Sequence, residues 1–326
     1  MLTRRTATLS ALAAMAACAP VAPPAPPWRA GARAPYPVQE IYPALHDGAI
    51  WIAGGFSPPA LGATRRVIAL DVARGVWLAQ PHLAGRAHHV HLASLAGALH
   101  AVGGFLGGAT HLSWICTPRV VRLEGEDWGA APDLPKPVGE AAPVAHEDRI
   151  HLIGGRSPLG VANSAWEDHG DIDDHFVLAA GASHWERAAP LPLARNSAAC
   201  AALDGAIHVI SGRTVAGGPT PAHHIYDARE DRWRDGPPFP DARGGLAAAT
   251  LGGRIICGGG ESDATVSDAL FAYDDTGWSR FETLPTPRHG YGLVAADDAL
   301  YALGGASRPS GSGTLARVDV LLALER

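Results

Sequence analysis

Six tryptophans, Trp28, Trp77, Trp128, Trp185, Trp233 and Trp278, each stand 26 residues before a doublet of small residues. The doublets are Gly54-Gly55, Gly103-Gly104, Gly154-Gly155, Ser211-Gly212, Gly259-Gly260 and Gly304-Gly305. A spacing that holds six times in one chain marks a repeated supersecondary unit, and repeats of this length build solenoids or propellers. Each unit reads alike. The Trp leads to a Pro-containing turn, as in Trp185-Glu-Arg-Ala-Ala-Pro, and then to a strand of small apolar residues such as Asn196 to Leu203. A tight turn, Asp204-Gly205, precedes a second strand, Ile207 to Ile210, that ends on the doublet. A variable loop, a third strand (Ile225-Tyr226-Asp227) and the next Trp complete four short antiparallel strands per 45–57 residues. The 39 Gly and 27 Pro punctuate these strands with turns. The expected fold is all-β, a six-bladed propeller.

The glycine doublet, the later aromatic-Asp pair and the Trp resemble Kelch repeats, and the resemblance covers residues 28–326. It departs from the pattern at Ser211 and where Leu70, Leu123 and Leu178 stand for the aromatic. A short side chain such as that of Ser211 still lets the backbone turn. The last unit, from Arg288 through Val318-Asp319-Val320, has no Trp, whereas Trp28 has no strands before it. The strand around Trp28 is therefore expected to complete the last blade, which removes an open sheet edge. Each repeated Trp is expected to be largely buried.

Residues 1–18 read as an export signal rather than part of the fold. Arg4-Arg5 precede the small apolar run Ala7 to Ala17, which is too short to cross a bilayer as a permanent helix. Thr3-Arg4-Arg5 resembles a twin-arginine signal, and Met15-Ala16-Ala17-Cys18 resembles a lipobox, with Cys18 the lipidation site. Residues 19–27 form a Pro-rich tether. The expectation is an exported, periplasmic monomer that touches the membrane only through a lipid. Beyond the signal, 24 basic face 32 acidic side chains, which argues against a nucleic-acid partner. Cys116, Cys200 and Cys257 remain; they offer no CxxC or zinc spacing, and Cys200 and Cys257 fall inside strands. Neither a metal nor another cofactor is expected.

In such a blade the start of the first strand and the end of the second lie on one face. Ten residues past each Trp stand Val38, Ala87, Val138, Arg195, Arg243 and Arg288. The next positions hold Gln39, His88, Gly139, Asn196, Gly244 and His289, then Glu40, His89, Glu140, Ser197, Gly245 and Gly290. Just past the doublets stand Phe56, Phe105, Arg156, Arg213, Glu261 and Ala306. Five arginines with Glu40, Glu140, Glu261, Asn196, His88 and His289 thus form a candidate ligand site at one channel mouth. Arginine suits anionic ligands, and Phe56 and Phe105 offer faces to a sugar ring. The alternative is that the arginines and carboxylates pair and brace neighbouring blades.

The long loop after the third doublet holds Trp166, Asp168, His169, Asp171, Asp173, Asp174 and His175. It lacks the ligand spacing of a calcium loop, and meeting the rim arginines would make it a lid. In His88-His89-Val90-His91, alternation along a strand would send His89 and His91 to one side and His88 to the other. His100, His151 and His208 share one place in three second strands and read as packing residues.

The favoured reading is a binding or interaction module that takes a small anionic or sugar-like ligand or an envelope protein. Exported six-bladed Kelch propellers also resemble sialic acid mutarotases, which implies a sugar mutarotase or epimerase as the alternative, with Glu261 and Arg213 or His289 as acid–base candidates. A copper oxidase like galactose oxidase needs two Tyr, two His and a Cys crosslinked to Tyr. Tyr291 and His289 lie near the mouth, but no Cys is placed for that crosslink.

Overall fold

The computed structural model describes residues 28–58, 62–108 and 113–322. The export signal, the tether and Cys18 lie outside the described residues. Among the described residues there are six four-stranded antiparallel sheets and no α-helix, only two short 3-10 turns. Each sheet takes its strands in chain order, as in the fourth: Ala199–Leu203, Ala206–Ile210, His223–Asp227 and Arg232–Asp235. The last sheet runs Gly292–Ala296, Ala299–Leu303 and Val318–Leu322, and Trp28–Ala30 is its outer strand, pairing Trp28 with Leu321. The N-terminal strand thus completes the last blade.

Neighbouring blades are joined at the doublets. The second residue of each doublet donates its N–H to the carbonyl ten residues past the next Trp: Gly55 to Ala87, Gly104 to Val138, Gly155 to Arg195, Gly212 to Arg243, Gly260 to Arg288 and Gly305 to Val38, all at 2.8–2.9 Å. The last of these leads from the sixth blade back to the first. The first glycine of the doublet is what permits this approach: a Cβ on Gly54 would sit 2.4 Å from the Ala87 carbonyl oxygen, and one on Gly304 2.5 Å from that of Val38. Ser211 occupies the same place with φ 54°. Its hydroxyl turns the contact to use by donating within reach of the Thr220 and Arg243 carbonyls at 2.9 and 3.0 Å.

Apolar side chains fill the gaps between blades. Ile50, Leu70, Leu99, Ile150, Ile207, Ile255 and Leu300 are all fully buried, each burial stabilising by about 1.5–3 kcal/mol. The repeated tryptophans are less buried than their regularity suggests. Trp185 is 5% exposed, and the other five are only half-buried. The reason is their place on the outermost strand, where the ring spans a crevice and, in all but Trp28, its N–H reaches the linker entering that blade. Trp77 donates to Ala32, Trp128 to Pro81, Trp185 to Pro132 and Trp233 to Ala189, all at 2.8 Å, and Trp278 to Pro237 at 3.1 Å.

The three matching histidines pack inside the blades. His151 and His208 hydrogen-bond His175 and His223 at 2.8 and 2.9 Å, and burial holds both well below the ordinary 6.5, at about 3. Cys257 is buried on a second strand and Cys200 half-buried on a first.

Because Trp233 both packs and bonds across a crevice, Trp233→Phe should lower the unfolding free energy by about 1 kcal/mol and Trp233→Ala by about 3 kcal/mol. Urea titration measures both. An unchanged Trp233→Ala midpoint would contradict the bridging role.

Candidate functional site

The carbonyl-to-doublet bonds fix where each inner strand begins, and the chain turns sharply two residues later. Glu40, His89, Glu140, Ser197, Gly245 and Gly290, all twelve residues past their Trp, have φ of 55°, 51°, 51°, 52°, 64° and 54°. Left-handed backbone costs a non-glycine residue on the order of 1 kcal/mol. Here it is held by main-chain bonds that link the turns of successive blades. Glu40 N–H donates to Gly290, Gly290 to Gly245, Gly245 to Ser197, Ser197 to Glu140, and His89 to Glu40, at 2.7–3.0 Å. The inner strand of the fourth blade accordingly starts at Ala199, while Asn196, ahead of the turn, makes only an isolated antiparallel bridge to Arg213.

Side chains from this turn, from the residue before it and from just past the doublets meet around the propeller axis. Glu40 Oε2 lies 3.0 Å from His89 Nε2, which lies 3.6 Å from Glu140 Oε1. Arg213 reaches Glu140 Oε1 at 3.3 Å and Glu261 Oε1 at 3.1 Å. His289 closes the circle, with Nε2 3.5 Å from Glu261 Oε2 and Nδ1 3.6 Å from Glu40 Oε1. The result is a ring of alternating acid and base, Glu40–His89–Glu140–Arg213–Glu261–His289, with one member from each blade in order. Glycine makes room for it: a Cβ on Gly290 would fall 2.6 Å from the Glu40 carboxylate, and one on Gly244 2.9 Å from Arg213 Cδ.

This ring floors a cavity of about 480 Å³ lined also by Gln39, Phe56, Trp114, Trp166, Ser310 and Ser312. Phe56, Trp114 and Trp166 give it aromatic walls. Trp166 comes from the long third-blade loop and stacks on the guanidinium of Arg156, 3.6 Å from ring centroid to Cζ, an arginine that is itself buried. Ser310 N–H donates to Glu261 Oε2 at 3.1 Å. Among the described residues no cluster of His, Cys, Asp and Glu is arranged to hold a metal ion, and the Tyr291 hydroxyl is spent on the Gly258 carbonyl at 2.9 Å.

The sequence-derived residues divide. Glu40, Glu140, Arg213, Glu261 and His289 line the cavity. Arg195, Arg243 and Arg288 do not, because a residue ten past the Trp precedes the turn and its side chain runs back under its own blade. Arg195 donates to the Ser211 and Val209 carbonyls at 2.7 and 3.0 Å, and burial draws its pKa down to about 10. Arg288 is fully buried and bonded to Asp319 and to the Ala302 and Gly304 carbonyls. Arg243 is tied to Asp241 and Thr265 at 2.9 and 2.7 Å. Asn196 sits behind the wall, bonded to Asp171 at 2.6 Å and to Arg213 at 3.2 Å. Arg156 is buried behind Trp166, 3.6 Å from Glu140 Oε2.

Two groups are not where alternation along a strand would put them. His88 is fully buried, stacked between Phe56 and Phe105 at centroid distances of 4.1 and 5.3 Å, while His89 lines the cavity. The left-handed turn at His89 breaks the alternation. His91 points elsewhere, with Nδ1 2.9 Å from the Val102 carbonyl and Nε2 accepting from Ala141 N–H at 3.0 Å. Trp114 and Trp166 stand in loops outside the repeat period, so no spacing signalled them.

Burial alone would raise the Glu40 carboxyl. His89 beside it, with His289 and Arg213, outweighs burial and holds it at about 2 against an ordinary 4.5. A depressed carboxyl contributes stability above the unfolded-state value and loses it as pH falls toward the folded one. The stability difference between wild type and Glu40→Gln should therefore be full above pH 4.5 and shrink as pH drops toward 2. Urea midpoints at pH 6 and pH 3.5 measure it, and a gap that does not narrow contradicts the assignment.

No family model matches the sequence. Among curated proteins the chain is 26% identical over 286 residues to the Kelch-like protein terF of Aspergillus terreus, covering 83% of this chain and 61% of that one. It is 25% identical over 197 residues to human Kelch-like protein 34, covering 57% of this chain and 29% of that protein. It is 26% identical over 235 residues to Beta-scruin of Limulus polyphemus, covering 63% and 25%. The chain thus spans less than two thirds of each of these relatives. Among solved structures YjhT superposes with a TM-score of 0.75 at 15% identity, covering 88% of this chain and 95% of that one, a likeness of fold. The chain is a Kelch-repeat β-propeller.

Proposed function

We propose that the cavity binds a small polyhydroxylated ligand, a single sugar ring or a molecule of its size. The observation that carries this is the alternating acid–base ring beneath three aromatic walls. Carboxylates accept from hydroxyls, Arg213 and the histidines donate, and Phe56, Trp114 and Trp166 offer faces to C–H groups. The volume suits one such ring. A free anion is less well served, since Arg213 already faces Glu140 and Glu261 and Arg156 is buried. Export and lipid attachment at Cys18 belong to the same reading and rest on residues 1–18 alone.

A second reading, anomer exchange on a sugar, is favoured by one feature. Acids and bases alternate around the floor at 3.0–3.6 Å, so a proton can be taken on one side of a ligand and given on the other.

Neutral and acidic monosaccharides titrated against tryptophan fluorescence test binding. A ligand that quenches the wild type should bind Trp114→Ala about tenfold more weakly, roughly 1.4 kcal/mol. If no sugar changes the fluorescence or the melting temperature, the reading fails. For exchange, the rate measured by proton NMR should rise with enzyme and return to the spontaneous rate in Glu261→Gln; an unaccelerated rate leaves binding alone.

A further inference from the structure

Hydrogen-bond partners fix the protons along the chain Ser113–His88–His89–Glu40. His88 Nε2 lies 2.8 Å from the Ser113 carbonyl. A carbonyl only accepts, so this nitrogen carries a hydrogen. His88 Nδ1 lies 2.7 Å from His89 Nδ1, and one of the two must donate. The His88 ring is fully buried between two phenylalanines, and burial holds its pKa well below the ordinary 6.5. Both its nitrogens are spent on Ser113 and His89, with no carboxylate to balance a second proton. His88 Nδ1 therefore accepts, and His89 Nδ1 donates.

That leaves His89 Nε2, 3.0 Å from Glu40 Oε2 and 3.6 Å from Glu140 Oε1. Carboxylate oxygens only accept, and a ring lone pair aimed between them would be repelled by both. The nitrogen that fits carries a hydrogen as well. The other groups facing His89 are the Tyr42 ring, 6.2 Å away between centroids, and the uncharged rings of Phe56, Phe105 and Trp114. Arg213 lies beyond Glu140. None of these supplies Nε2 with a donor.

We propose that His89 is a locked imidazolium, protonated on both nitrogens, which presents a permanent N–H donor and positive charge to a ligand oxygen, with His88 as the positioning residue behind it. Its use on a ligand rests on the small-ligand reading above; the lock itself does not. His289 sits differently: its Nε2 donates to the Arg308 carbonyl at 3.0 Å, and its Nδ1 stands 3.6 Å from Glu40 Oε1.

Long-range proton–nitrogen correlation spectra of the full ¹⁵N-labelled chain at pH 8, assigned with His89→Gln, test the lock directly. Both His89 ring nitrogens should be of the protonated type, with His88 Nδ1 unprotonated. In His88→Phe, which keeps the aromatic stack but removes the acceptor, His89 should lose its Nδ1 proton at the same pH. One unprotonated His89 nitrogen in the wild type overturns the proposal whether or not the variant folds. A locked imidazolium in a protein that binds no sugar sinks the sugar reading alone, and a sugar-binding protein with neutral His89 sinks the lock alone.

Discussion

The hydrogen bond from the second residue of each doublet to the carbonyl ten residues past the next Trp governs everything nearer the axis. It occurs six times at 2.8–2.9 Å and returns from Gly305 to Val38. Because it takes the carbonyl just before the inner strand, it leaves the chain two residues in which to turn downward along the channel. The left-handed residue is the outcome, and that residue's side chain is aimed at the axis rather than between blades. One backbone bond per blade therefore places Glu40, His89 and Glu140 at the cavity floor, where Arg213 and Glu261 join them from just past the doublets and His289 from the residue before the turn.

What meets there is charge in alternation. Glu140 is 1% and His89 2% exposed, where an unpaired ion would cost several kcal/mol. Each is tolerated because its neighbours on the adjacent blades carry the opposite sign or a donor. Arg213 is the hinge of this arrangement, for it touches Glu140 on one side and Glu261 on the other. The ring holds three blades' side chains together through that one guanidinium and still leaves donors and acceptors open to the cavity. The same groups thus pair across blades and line the cavity proposed above to bind a ligand.

The architecture was legible because it is periodic: a Trp, a doublet and a pairing pattern repeat, and the strand order follows from them. The site was legible in part. Glu40, Glu140, Arg213, Glu261 and His289 stand at strand starts and doublets, where position alone says they face the mouth. Arg195, Arg243 and Arg288 stand one or two residues earlier, on the far side of a turn whose φ is written in no residue type, since Glu, His, Ser and Gly all occupy it. His89 was obscured by the same turn. Trp114 and Trp166 come from loops of unequal length, where neither period nor composition places a side chain. The half-buried tryptophans show a related limit, because regular spacing fixes a strand position and not the depth of a ring.

A double-mutant cycle between Glu140 and Arg213, with Glu140→Gln, Arg213→Met and the pair, measures most directly whether the ring acts as a unit. Each single change removes one of the partner's opposite charges, so the losses of unfolding free energy should not add. The double variant should be more stable than their sum by at least about 1 kcal/mol. Losses that add to within about 0.5 kcal/mol would mean that the six side chains are neighbours around an axis and nothing more.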